Sequence, residues 1–252
     1  MTATALDRSP RATRIGVAVA TTIIVAWLGG LVALLALDAT RWPLGAQALA
    51  VAAMTWLSTG LFITAHDAMH GTVAPTHRRW NDRIGALALG LYALFPYRTL
   101  LHAHRAHHRA PGTGDDPDFH APGAPHPVRW YLRFIGEYLS VWQIVGMAVI
   151  FNVLLHGVGL TERALLTFWV APLLLSTMQL FVVGTWLPHR ADGPTPVDDH
   201  HARSLALPPW ASLLACYHFG YHREHHAWPH VPWWRLPAAR STRPLDPAGT
   251  AS

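Results

Sequence analysis

Three histidine clusters carry the chemistry of this chain: His66-Asp-Ala-Met-His70, His104-Arg-Ala-His107-His108 and His222-Arg-Glu-His225-His226. On a helix, residues three or four apart share a face. His66 with His70 therefore project together, and so do His104, His107 and His108. His222, His225 and His226 repeat the arrangement. Neutral imidazole is the commonest side-chain metal ligand. Structural zinc takes four ligands and catalytic zinc three with a water, so eight rings are too many for one such site. Divided over two ions, they leave positions open for oxygen or substrate. Imidazole suits iron, zinc, copper and nickel alike, so ligand type does not fix the metal. Carboxylate-bridged di-iron bundles use Glu-x-x-His pairs with further Glu ligands, a plan these boxes do not follow. His77, His102, His120, His126, His156, His200, His201, His218 and His230 read as solvated loop residues.

The elements that must position the boxes are apolar. Of 252 residues, 51% are hydrophobic and 13% charged, about half the charge of a soluble domain. The expected class is an all-α membrane protein forming one domain. A spanning helix needs roughly 20 apolar residues. Four segments qualify, 15–37, 44–65, 138–160 and 164–187, and none contains Asp, Glu or Arg. The first is too long for a signal peptide and reads as a retained span. Pro172 could break the last one. Residues 1–14 and 241–252 read as flexible tails. The chain has no Lys, and its single cysteine, Cys216, excludes an intrachain disulfide and multi-cysteine metal sites. The net charge of +5 fits lipid headgroups rather than nucleic acid.

Topology narrows the arrangement. Segment 84–101 is apolar but contains Pro96 and Arg98. If it crossed the membrane, boxes one and two would face opposite sides, so it should re-enter or lie in the interface. Segments 138–160 and 164–187 then form a hairpin that returns box three to the first face. Arg8, Arg11, Arg14, Arg78, Arg79, Arg83, Arg105, Arg109, Arg129 and Arg133 lie on that side, against Arg41 and Arg163 opposite. The positive-inside rule makes it cytoplasmic, together with both termini. Arg98, Trp233 and Trp234 read as interface anchors.

The boxes, in this order and flanked by paired spans, resemble the membrane fatty acid desaturase and hydroxylase superfamily. Longer strings narrow the resemblance to the bacterial β-carotene ketolases. These are Ala65-His-Asp-Ala-Met-His-Gly71, Ala106-His-His-Arg-Ala-Pro-Gly-Thr-Gly-Asp-Asp-Pro-Asp-Phe119, Phe181-Val-Val-Gly-Thr-Trp-Leu-Pro-His-Arg190, Tyr217-His-Phe-Gly-Tyr-His-Arg-Glu-His-His226 and Pro229-His-Val-Pro-Trp-Trp-Arg-Leu-Pro237. The likeness runs over about residues 15–240. It implies two non-haem iron ions, molecular oxygen and an external electron donor, either ferredoxin-like or linked to NAD(P)H. It implies a membrane-dissolved carotenoid substrate and oxidation of the β-ionone ring at C4 to a ketone. It adds His189 as a ninth ligand. Asp116 and Asp118 fall in the shared string and are expected to hold ligand rings through the second nitrogen. Asp67 and Glu224 should point off the ligand face and pair with Arg. Trp142, Phe151, Trp169, Phe181 and Trp186 are candidates to line a substrate tunnel. A bacterial inner-membrane location follows.

Two other readings remain at this level. A carotenoid 3-hydroxylase or lipid desaturase would share the boxes but not the Leu-Pro-His-Arg and Pro-Trp-Trp-Arg-Leu-Pro strings. A metal transporter would place polar residues inside its spans, where this chain has no charge.

Overall fold

The computed structural model describes residues 6–190 and 200–242, and every regular element among them is helical. Helix α1, Pro10–Ala36, starts five residues before the apolar run, so residues 10–14 are not a tail. The reason is local. The Ser9 hydroxyl accepts the Ala12 N–H at 3.0 Å, and Pro10 occupies the first turn, where its missing N–H costs nothing. Helix α2 is Leu44–His70, and Gly71 ends it in the left-handed conformation (φ +79°). Helix α7, Glu162–His189, is the third long apolar helix. These three are long and apolar enough to cross a membrane, and there are up to five spans if each of two sharply bent helix pairs counts as one.

The first bent pair is α3, Arg78–Ala93, and α4, Tyr97–Arg109, which meet at 102°. It covers the segment expected to re-enter. Asn81 near the start of α3 donates to the Ala68 carbonyl at 2.7 Å, and His104 on α4 touches His70 at 2.7 Å. Both ends of the pair therefore lie beside the C-terminal end of α2. Leu94 in the left-handed region (φ +57°) and Pro96 make the turn between them. The second pair is α5, Pro127–Tyr138, and α6, Val141–Gly157, bent by 83°. Ser140 and Gln143 form a reciprocal capping box that starts α6 at Val141.

Helix α7 runs unbroken through Pro172. A π-helical turn, Leu166–Val170, ends two residues before that proline, and such a turn takes up the spacing that a missing N–H disturbs. A second π-helical turn, Phe181–Trp186, lies just before His189. Short helices α8 (Pro209–Cys216), α9 (His222–Ala227) and α10 (Leu236–Thr242) complete the described chain. The main core gathers Trp27, Met54, Leu61, Phe168, Leu173 and Tyr217 from α1, α2, α7 and the end of α8. Close backbone approach ties α1 to the far end of α2: a Cβ on Gly16 would lie 2.2 Å from the Val73 carbonyl oxygen. The N-terminus of α1 and the C-termini of α2 and α7 thus meet at one end of the bundle.

Candidate metal centre

Nine histidines converge at that end in two groups. The first contains His66 and His70 from the last turn of α2, His104 and His108 from α4, and His225 from α9. The second contains His107 from α4, His189 from the end of α7, and His222 and His226 from α9. Within each group the ligand atoms lie within 4.8 Å of one another. Helices α4 and α9 serve both groups because adjacent residues on a helix diverge by about 100°. His107 and His108 therefore part company, as do His225 and His226. The stacked rings of His108 and His226, 4.3 Å apart, mark where the groups touch.

The nitrogens that face one another are Nε2 atoms. His70 and His104 approach to 2.7 Å, and His108 and His225 to 3.0 Å. His66 Nε2 is buried with no hydrogen-bond partner. In the second group, His107 lies 3.1 Å from His226, His226 is 3.0 Å from His222, and His222 is 2.9 Å from His189. An imidazole nitrogen either donates through one proton or accepts through one lone pair. No choice of tautomers satisfies all three of those contacts. A shared cation does, because nitrogens each about 2.1 Å from one ion and at right angles lie about 3.0 Å apart. The donor set therefore fits two metal ions.

Contacts to the outer nitrogens set the rings. His107 Nδ1 faces both oxygens of buried Asp116, at 2.9 and 3.0 Å. Asp116 also accepts the Gly112 and Asp118 N–H groups at 2.8 Å each. Burial works against the charged form of Asp116, but the His107 hydrogen bond and those backbone donors hold its pKa below the usual carboxylate value. His189 Nδ1 bonds the His201 carbonyl at 2.7 Å. Burial pushes His222, His225 and His226 well below the ordinary imidazole pKa, and the neighbouring rings add to the effect. All three are thus neutral, the form that ligates.

The carboxylates depart in part from expectation. Asp118 lies 3.9 Å from His107 Nδ1, and its side chain accepts the Tyr138 hydroxyl instead. Asp67 was expected to point away from the site. It is buried, with Oδ1 3.4 Å from His66 Nδ1 and Oδ2 accepting the Trp233 N–H at 3.0 Å. Trp233 also packs edge-on against Tyr217 at 5.0 Å, so its string braces box one. Glu224 does meet an arginine, Arg240, at 3.3 Å, and it also accepts from Ser204. Of the histidines set aside, His218 is buried and stacks on Tyr221 at 5.6 Å, and His201 meets His189 through its carbonyl.

A cavity of about 490 Å³ ends on both groups. Its walls are mostly apolar, from Phe62, Phe95, Phe134, Phe151, Trp169 and Phe219, and it reaches His66, His104, His107 and His222. Of the five aromatics expected in a tunnel, Phe151 and Trp169 line it. Trp142 is 83% exposed, Phe181 packs against Trp130, Tyr131 and Phe134, and Trp186 lies against Arg190. Phe219 is the wall between the groups, 4.8 Å from the His66 ring and 5.0 Å from His222. It fits only because position 184 is glycine, where a Cβ would fall 2.2 Å from the Phe219 ring.

A helical scaffold that gathers three histidine boxes at one end is that of the fatty acid desaturase class, and the fatty acid desaturase family matches residues 40–151 and 122–250. Closer relatives are more particular. The chain is 49% identical over 225 residues to a β-carotene ketolase of Paracoccus sp., covering 87% of this chain and 89% of that one. It is 42% identical over 219 residues to a β-carotene 4-ketolase of Protosiphon botryoides, covering 82% and 55%. It is 39% identical over 249 residues to a zeaxanthin 4-ketolase of Chlamydomonas reinhardtii, covering 93% and 55%. The chain belongs to the β-carotene ketolase family.

Proposed function

We propose that this protein is an oxygen-dependent carotenoid 4-ketolase, converting the C4 methylene of a β-ionone ring to a ketone. The observation that carries the reading is the apolar cavity that ends on both histidine groups, in a chain whose relatives are β-carotene ketolases. Two hydroxylations at one carbon give a geminal diol, and loss of water gives the ketone. Each hydroxylation consumes molecular oxygen and two electrons from an external donor, a ferredoxin-like protein or one linked to NAD(P)H.

His66, His70, His104, His108 and His225 would hold one iron, and His107, His189, His222 and His226 the other. The pair would supply the oxidising power that removes an allylic hydrogen, which acid–base side chains lack. The protein's own part is orientation and exclusion of water. Asp116 fixes the tautomer of His107, so that Nε2 is free to ligate. Asp118 supports Asp116 through its backbone N–H. The cavity walls offer an apolar ring a water-poor place beside the rings of His66 and His222.

The chain is read as one membrane-integral domain with four spans, α1, α2, α6 and α7, and with α3 and α4 re-entrant. The arginines near the histidine end support a cytoplasmic site in the inner membrane. In cells that accumulate β-carotene, expression should give red-shifted ketocarotenoids, and the purified protein should carry two irons per chain. Unchanged pigment would sink the ketolase reading, and a single zinc would sink the di-iron one.

A further inference from the structure

The cavity carries a polar group that orientation of the metal ligands does not use. His107 Nδ1 has one proton to give, and Asp116 takes it at 2.9 to 3.0 Å. The Asp118 carboxylate, 3.9 Å away, is beyond hydrogen-bond reach of that ring. It is bonded instead by the Tyr138 hydroxyl, and both residues line the cavity together with His66, His104, His107 and His222. A carboxylate in the wall of an apolar cavity is costly unless its acceptor positions find partners, and the Tyr138 hydroxyl fills only one of them. A ring of hydrocarbon offers none. A ring hydroxyl offers both a donor and an acceptor.

Position along the cavity decides which ring carbon that hydroxyl would occupy. Hydroxyl pairs at the walls are also formed by Tyr131 with Thr177, at 2.7 Å, and by Tyr92 with Ser176, the residue before Thr177, at 3.1 Å. Thr177 stands twelve residues before His189 on α7, about 18 Å along the helix, too far for a group bonded next to the reacting carbon. Asp118 and Tyr138 stand beside His107. From these placements, and resting on the ketolase reading, we infer that Tyr138 and Asp118 seat a hydroxyl on C3, the ring carbon next to the one oxidised. They are specificity-determining residues for 3-hydroxylated rings, with the substrate hydroxyl donating to the Asp118 carboxylate beside the Tyr138 oxygen.

The test compares conversion of β-carotene and zeaxanthin in separate assays with membranes holding the full chain. Tyr138→Phe should lower the zeaxanthin rate about tenfold relative to the β-carotene rate, the scale of one lost hydrogen bond. Equal losses on both substrates would show that Tyr138 acts through His107 alone and would overturn the proposal. So would an unchanged ratio, or a shift produced by Thr185→Val, one turn before His189, in place of Tyr138→Phe. A second measurement needs no variant. The wild-type protein should convert one C3 epimer of the hydroxylated ring several-fold faster than the other, and equal rates on the two epimers overturn the seat. Absence of ketone from both rings in the wild type would overturn the ketolase reading and this inference together, a result that neither ratio imitates.

Discussion

The two histidine groups differ in how they are held. Five rings meet in the first, but His70, His104 and His108 are only partly buried. Its outer brace is Asp67, at 3.4 Å from His66. Four rings meet in the second and all are buried. Two of these are pinned from behind, His107 by Asp116 and His189 by the His201 carbonyl. Ligand number and bracing therefore run in opposite directions. One group has rings to spare and looser support, and the other has one ring fewer and firmer support. A site with spare ligands tolerates the loss of one, and a site held from behind tolerates none of its own.

That contrast can be broken by substitution. The largest effect is expected at His107, which carries both the second group and the contact to Asp116. His107→Ala should lower ketone formation by more than about 100-fold, beyond the loss from removing a contact behind a ligand, while the protein still inserts in the membrane. Pigment analysis beside a membrane-fraction blot checks this, and retained ketone would remove His107 from the ligand set. Next come His189→Ala and His70→Ala, read by metal content. The first leaves three rings and should drop bound iron from about two to about one per chain. The second leaves four and should keep both ions more nearly intact. The opposite order would reverse the ranking of the groups. The smallest pair of effects tests the braces. Asp116→Asn should cost about 10- to 100-fold in activity or metal affinity. Asp67→Asn should cost less, because its contact to His66 is longer. Equal costs would mean that the two groups are braced alike.

Much of this site is legible in the chain. The i, i+4 pairs at 66/70, 104/108 and 222/226 are visible in the residues, and the Leu-Pro-His-Arg string brings in His189. The division into five and four is not legible there, because His104 and His107, like His222 and His225, share a helix face by spacing yet serve different groups, which the relative placement of α4 and α9 decides. The contacts of Asp67 with Trp233 and of Asp118 with Tyr138 join residues 166 and 20 positions apart. They arise from how loops close over the bundle, which no local pattern encodes. Among the elements, Ser9-Pro10 carries a helix-start signal that places the start of α1 ahead of its apolar run. The sharp turn at 94–96 is marked by Pro96, but its angle of 102° depends on the packing of α3 along α2.

The π-helical turn at Phe181–Trp186 has a consequence for what this chain tolerates. Such a turn holds one more residue than an α-helical turn would, and each residue of a helix advances its face by about 100°. The turn thus sets the rotational phase in which α7 delivers Gly184 to Phe219 and His189 to its neighbours. Relaxing the turn to α-helix with all its residues kept would swing His189 by about a quarter-turn, with every side chain chemically unchanged. The stretch between Leu180 and Leu187 is accordingly a place where backbone form, more than side-chain identity, is constrained.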